Sequence, residues 1–147
     1  MRDDAGKVIN ELLVDIFNQI LILEERYHRV HGVRLSMTEI HALESIQKSK
    51  SKMMRDVAEA LRITQGTLTT TINRLSQKGY VLREQDENDR RVYRLRLTDK
   101  GEAVMEIHNQ FHEAMSERLL LHLQDKEELI DSIAEINEFF KELYEIN

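Results

Sequence analysis

The sequence predicts a mainly α chain with one small β-hairpin: a winged helix-turn-helix set between long N- and C-terminal helices. Three observations predict it. Thr64 to Gly79 reads as a capped helix that stops at a glycine. Two strand-like runs, Val81–Gln85 and Val92–Leu97, follow at once and are joined by a charged turn. Apolar residues recur at helical spacing over both ends of the chain, well beyond what so small a hairpin can cover.

Taken in order, residues 1–6 are expected to fray. From Lys7 to about Val30, Ile9, Leu12, Leu13, Ile16, Phe17, Ile20, Leu23 and Tyr27 form one helical stripe. Val14, Leu21 and Ile22 widen it beyond a single packing face, and a partner surface accounts for the surplus. Gly32 ends this helix. Ser36-x-x-Glu39 is a capping box that opens a helix to about Lys48. A polar loop, Lys48 to Lys52, leads to a short helix from Met54 to Leu61 with Val57 and Leu61 inward.

Arg62 and Ile63 turn into Thr64, whose hydroxyl suits an N-cap. Beyond it Leu68, Ile72 and Leu75 recur at i, i+4, i+7 and face inward. In the second strand Tyr93, Leu95 and Leu97 alternate with Val92, Arg94 and Arg96, and Asp86-Glu87-Asn88-Asp89 supplies the turn formers. Thr98 caps a helix from Asp99 to about Leu123 with Val104, Ile107, Phe111, Met115 and Leu119 on one side. Asp125-x-x-Glu128 opens the last helix, apolar at Leu129, Ile133, Ile136, Phe140 and Leu143. At 147 residues the chain is expected to be one domain, 1–147, with dimerisation helices at 7–31 and 99–147 around a 36–98 DNA-binding region. A monomeric bundle would leave large apolar patches exposed, so a homodimer is expected.

The outer face of the Thr64 helix carries Thr64, Gln65, Gly66, Thr67, Thr69, Thr70, Asn73, Arg74 and Gln77, with almost no acid. Small side chains permit close approach, and Asn, Gln, Thr and Arg suit base edges and phosphates of a DNA major groove. Gly66 costs about 1 kcal/mol of helix propensity relative to alanine, which makes sense if a partner comes close to the backbone there. At the hairpin tip, one of Arg90 and Arg91 is expected to pair with Asp89 or Asp86 and leave the other for a minor groove. Lys48, Lys50, Lys52 and Lys78 are expected to contact phosphates.

Charge agrees. The net charge is −6, but Lys48 to Arg96 holds twelve Lys/Arg against six Asp/Glu, or +6, so the remainder is −12. That division fits a basic reading head on acidic assembly helices. The chain has no cysteine, which excludes disulfides and thiol sensing, and no proline. No apolar run approaches the roughly 20 residues of a membrane span and no signal-peptide pattern opens the chain, so a cytoplasmic protein without a membrane partner is expected. No catalytic constellation is visible and no enzyme is expected.

TQGTLTTTINRLSQKGY together with D-E-N-D-R-R, a strand and L-T-x-K-G resembles the DNA-binding core of the MarR family of winged-helix repressors, over nearly the whole chain. The resemblance implies a homodimer whose two heads read successive major grooves of a pseudo-palindromic operator, with half-sites about 34–36 Å apart or a multiple of that. His108-x-x-x-His112 is an i, i+4 pair of the kind that chelates a metal. Zinc-sensing relatives bind metal in this region with a Glu and three His, which implies His41 and Glu24 or Glu25 as further ligands. VDIFNQILILEE, T-E-I-H at 38–41 and HNQFHEAM are similar to the fatty-acid-synthesis repressors of the family, the FabT subgroup. That likeness implies no resident cofactor but an acyl-loaded acyl carrier protein as corepressor, its chain entering near Ile16, Ile20, His41, His108, Phe111, His112 and Met115. The acidic carrier is expected to dock near Arg62, Arg83 or the Lys48–Lys52 loop. Two readings stand beside this one: a zinc-responsive regulator, and a helical adaptor that does not bind DNA.

Overall fold

The computed structural model describes residues 2–145, with side chains from residue 4. Its elements are α1 (Arg2–Val30), α2 (Met37–Lys48), α3 (Met54–Ala60), α4 (Gln65–Gln77), β1 (Val81–Gln85), β2 (Tyr93–Leu97), α5 (Asp99–His122) and α6 (Lys126–Glu145). The architecture is the mainly α, hairpin-winged one that the sequence predicts. Most boundaries agree to within a residue, but α1 begins at Arg2, not at Lys7. Asp4 suits the positive end of a helix, and Gly6 only weakens it. The frayed ends expected at Met1 lie outside the described residues.

The local signals act as physics requires. Ser36 Oγ accepts from Glu39 N at 3.2 Å while Glu39 Oε2 accepts from Ser36 N at 2.9 Å, a complete capping box. Thr64 Oγ1 accepts from Thr67 N at 3.2 Å, and Thr98 Oγ1 from Gly101 N at 3.2 Å. Gly79 takes φ +83° beyond α4, and Gly32 takes φ +79° beyond α1. The strands pair antiparallel, Arg83 opposite Leu95 and Glu84 opposite Arg94. Met53 adds an isolated bridge to Arg94, so the α2–α3 loop lies along the outer edge of β2.

The chain divides into two compact units, one ending at Phe111 and one starting at His112. The core of the first is built from α2, α3, α4 and the hairpin: Ile40, Leu43, Val57, Leu68, Ile72, Leu75, Val81 and Leu95 are all at most 1% exposed. Gly101 brings the start of α5 against this core; a Cβ there would lie 2.4 Å from the carbonyl oxygen of Tyr80. α1 inverts a simple reading of its pattern. Its apolar stripe is exposed over Ile9, Leu12, Leu13, Ile16, Phe17 and Leu23, whereas Glu24 and His28 are the buried residues. In the second unit α6 buries no residue and exposes Ile130, Ile133, Ile136, Phe139 and Phe140. No helix among the described residues is long and apolar enough to cross a membrane.

Candidate nucleic-acid interface and a buried histidine cluster

Leu68, Thr71, Ile72 and Leu75 anchor α4 in the core, so the opposite face must point outward. Gln65, Gly66, Thr67, Thr70, Asn73, Arg74 and Gln77 are exposed along it, Thr69 is half-buried, and Thr64 sits at the cap. Thr69 Oγ1 donates to Gln65 O at 2.8 Å and Thr70 Oγ1 to Gly66 O at 3.3 Å. Their hydroxyl protons are thereby used on the helix, and each threonine presents a methyl and a lone pair outward. Only Thr64 Oγ1, at 3.9 Å, would lie near a Cβ on Gly66. Nothing inside the protein therefore demands a glycine there.

The wing is braced by carboxylates. Asp89 holds Arg91 through two contacts, Oδ1–Nε at 3.1 Å and Oδ2–Nη2 at 3.2 Å. Asp86 Oδ1 accepts the backbone N–H groups of Asn88 and Asp89 at 2.8 and 3.1 Å, and its Oδ2 accepts Arg94 Nε at 3.0 Å. Both carboxyls are held below the usual range, Asp86 by the Asn88 N–H first and Asp89 by the Arg91 guanidinium first. Arg90 is exposed, and its backbone carbonyl accepts Gln85 Nε2 at 2.7 Å. So of the two arginines at the tip, Arg91 is the one tied down and Arg90 the one left open.

The predicted phosphate-binding lysines separate into two groups. Lys50 is exposed at the surface of the α2–α3 loop, and Lys48 pairs with Glu44 at 2.5 Å. Lys52 turns back: its Nζ donates to Ile46 O and Gln47 O at 2.6 and 2.8 Å, satisfying end carbonyls of α2. Lys78 Nζ lies 2.7 Å from Glu39 Oε1. Sequence reasoning placed Arg83 near a carrier-docking surface and Arg94 on the second strand, but missed the contacts both make. Arg94 bridges Asp86 and Ser51 O, clamping the wing to the α2–α3 loop, and Arg83 Nη2 donates to Asn73 Oδ1 at 2.7 Å.

A second assembly lies in the first unit. Glu24, only 2% exposed, sets its Oε1 3.3 Å from His41 Nε2 and 3.2 Å from His108 Nδ1. Glu25 instead pairs with Arg29 at 2.6 Å on the exposed side of α1, so Glu24 is the carboxylate that meets the histidines. His28, which sequence reasoning missed, donates its Nδ1–H to Glu24 O at 2.7 Å and brings Nε2 within 3.3 Å of His108 Nδ1. The signal for it was there: Glu24 and His28 are i, i+4 and share one helix face. His108 Nε2 lies 3.5 Å from Glu44 Oε2, and that histidine with Lys48 holds the Glu44 carboxyl down at about 2. The Glu24 hydrogen bond raises the pKa of His41.

This cluster permits two chemistries. It forms a hydrogen-bonded hub around the buried carboxylate of Glu24. It also sets one carboxylate oxygen 3.2 and 3.3 Å from a nitrogen of each of two histidines, donor types that a divalent metal takes. His112 follows His108 by one turn of α5, half-buried, at the start of the second unit. The predicted acyl pocket divides as well. Phe111 is buried against Tyr27 with ring centroids 5.4 Å apart, Ile20 is half-buried, Ile16 is 53% exposed, and Met115 is half-buried in the second unit. His41 lines two clefts, of about 480 and 170 Å³, that open beside Leu61 rather than beside Ile16 or Phe111.

The MarR family model matches residues 35–93, from the α2 cap through the wing. The HTH-type transcriptional regulator BilQ of Clostridioides difficile is 40% identical over 60 residues, 41% of this chain and 40% of that protein. Its Clostridium symbiosum namesake is 35% identical over 83 residues, 56% and 57% of the two chains. The chain thus spans about half the length of the curated relatives it matches, which are transcriptional regulators and not enzymes. Among solved structures, Streptococcus pneumoniae FabT in complex with DNA is 33% identical with a TM-score of 0.80, covering 96% of this chain and 99% of that one.

Proposed function

The chain belongs to the MarR family, and from that premise we propose that it is a homodimeric regulator that represses transcription by occupying a pseudo-palindromic operator. The observation that carries this reading is the exposed, acid-free face of α4 beside a carboxylate-braced wing with Arg90 open at its tip. α4 reads the major groove, Arg90 reaches the minor groove, and Lys50 and Arg74 touch phosphates. Exposed apolar residues on α1 and α6 are the surface a second copy would cover. A DNA-bound regulator of this kind works in the cytoplasm.

The regulated process is fatty-acid synthesis, with an acyl-loaded acyl carrier protein as corepressor. What supports it is the likeness to FabT over almost the full length of both chains. A second reading, zinc response, is favoured by one observation: the buried carboxylate of Glu24 set 3.3 Å from His41 Nε2 and 3.2 Å from His108 Nδ1. Glu24, His41 and His108 would offer the ion its ligands, and the ion would supply a link between α1, α2 and α5.

Fluorescence anisotropy on a promoter fragment selected from genomic DNA tests both. Tightening by the long-chain acyl carrier, unchanged by chelator, supports the first. A zinc-dependent affinity that disappears in His108→Ala supports the second. Binding that ignores every fragment at physiological salt would leave a helical adaptor in their place.

A further inference from the structure

We propose that Asn73 and Arg83 form one reading unit that selects guanine in the operator, an inference that rests on the DNA-binding function proposed above. Asn73 is exposed in the middle of the outer ridge of α4, in line with Gly66, Thr70 and Gln77. Arg83 reaches it from β1, donating from Nη2 to Asn73 Oδ1 at 2.7 Å. The adjacent carboxylate of Glu84 does not compete, since it is held by Arg96 at 2.7 Å.

Chemistry fixes the orientation of the amide. A guanidinium has donors and no acceptor, so the asparagine atom facing it is the oxygen, and the Nδ2 group with its two N–H donors turns outward. Beside it the hydroxyl protons of Thr69 and Thr70 are spent on α4 carbonyls. The Asn73–Arg83 pair itself therefore presents donors: Asn73 Nδ2–H₂ and the remaining N–H groups of Arg83.

Guanine offers two acceptors to the major groove, N7 and O6, whereas adenine pairs its N7 acceptor with an N6 amine that requires an acceptor from the protein. An asparagine alone offers both a donor and an acceptor and favours adenine. Here its acceptor is engaged and carries a positive neighbour, which turns the pair toward guanine. Arg83 thus sets specificity through Asn73 as well as by its own donors.

The test uses the full chain and an operator selected from genomic DNA. Competition binding at fixed salt would be measured for every single-base variant of one half-site, with the natural protein, Arg83→Met and Asn73→Ala. The natural protein should prefer guanine at one position by about tenfold, as a good bidentate contact does. Arg83→Met should lose that preference and move toward adenine at the same position. Asn73→Ala should weaken the guanine preference without moving it toward adenine, because Arg83 keeps its own donors, with the other positions and the thermal midpoint unchanged. An Arg83→Met protein that binds all sequences equally more weakly, with a salt slope lower by about one, would make Arg83 a phosphate contact and overturn the inference. An unchanged base profile would overturn it too while leaving the DNA-binding function intact. No sequence-selective binding by the natural protein would remove both.

Discussion

Lys78 Nζ stands 2.7 Å from Glu39 Oε1, so the C-cap of α4 is tied to the capping box of α2. Glu39 is 6% exposed, and its second oxygen receives the Ser36 N–H. Burial pushes its pKa up, but the Lys78 hydrogen bond, the Ser36 N–H and the Lys78 charge outweigh that, and the net shift is downward from 4.5. The sign follows. A carboxyl with a lowered native pKa adds stability above 4.5, and that stability is lost as pH falls through the native value. Glu39→Gln keeps a side-chain oxygen for the Ser36 N–H, so it should cost up to about 1 kcal/mol at pH 7 through the lost charge, the lysine being half exposed and screened. Urea unfolding at pH 7 and pH 4 checks both parts: the variant's loss should shrink at the lower pH, and an undiminished loss would reject the account.

Gly101 should tolerate no side chain. A Cβ would sit 2.4 Å from Tyr80 O, a backbone atom that also accepts Thr98 N at 3.0 Å. Relief requires moving the start of α5 away from the α4–β1 turn. Gly101→Ala should therefore cost about 1–3 kcal/mol despite better helix propensity. Thermal unfolding reads it, and a midpoint equal to the natural protein's would show that the approach is not as close as stated.

These two sites show what the sequence makes legible and what it hides. Thr64, Thr98, the Ser36–Glu39 box and Gly79 are local signals whose partners lie within a few residues, so α2, α4 and α5 begin where their caps say. Gly101 against Tyr80, Lys52 on the α2 carbonyls and Arg83 on Asn73 join residues that no periodicity connects. α1 hides most. Its apolar stripe is legible as too wide for one packing face and is exposed, but periodicity gives no sign that Glu24 and His28 are the residues buried in this chain. An apolar pattern says that a face will be covered, not by which chain.

Gly66→Ala should move stability and affinity in opposite directions. Space is open around the site, with Thr64 Oγ1 at 3.9 Å from an added Cβ. The folded protein should gain up to about 1 kcal/mol from helix propensity. The operator complex should weaken, because the methyl would stand between the first turn of α4 and DNA. Urea unfolding and anisotropy on the same preparation separate the two effects. Equal affinity with higher stability would mean that DNA does not approach this turn.

The wing offers the sharpest separation of roles. Arg91 is held bidentately by Asp89, and Arg90 is exposed. Arg90→Ala should therefore lower operator affinity at least about tenfold, the scale of one lost charge-assisted groove contact. It should do so without shifting the thermal midpoint. Arg91→Ala should also weaken binding, but by another route: it releases Asp89, places an uncompensated carboxylate near the phosphates and loosens the turn. Asp89→Ala distinguishes the two. If Arg91 serves as a brace, removing its partner should recover affinity in the Arg91→Ala background by deleting the stray charge. If Arg91 is itself the groove contact, the double variant should bind no better than Arg91→Ala alone. Anisotropy titrations across a salt series measure all four proteins, and a salt slope unchanged in Arg90→Ala would show that Arg90 does not touch the DNA backbone or its groove.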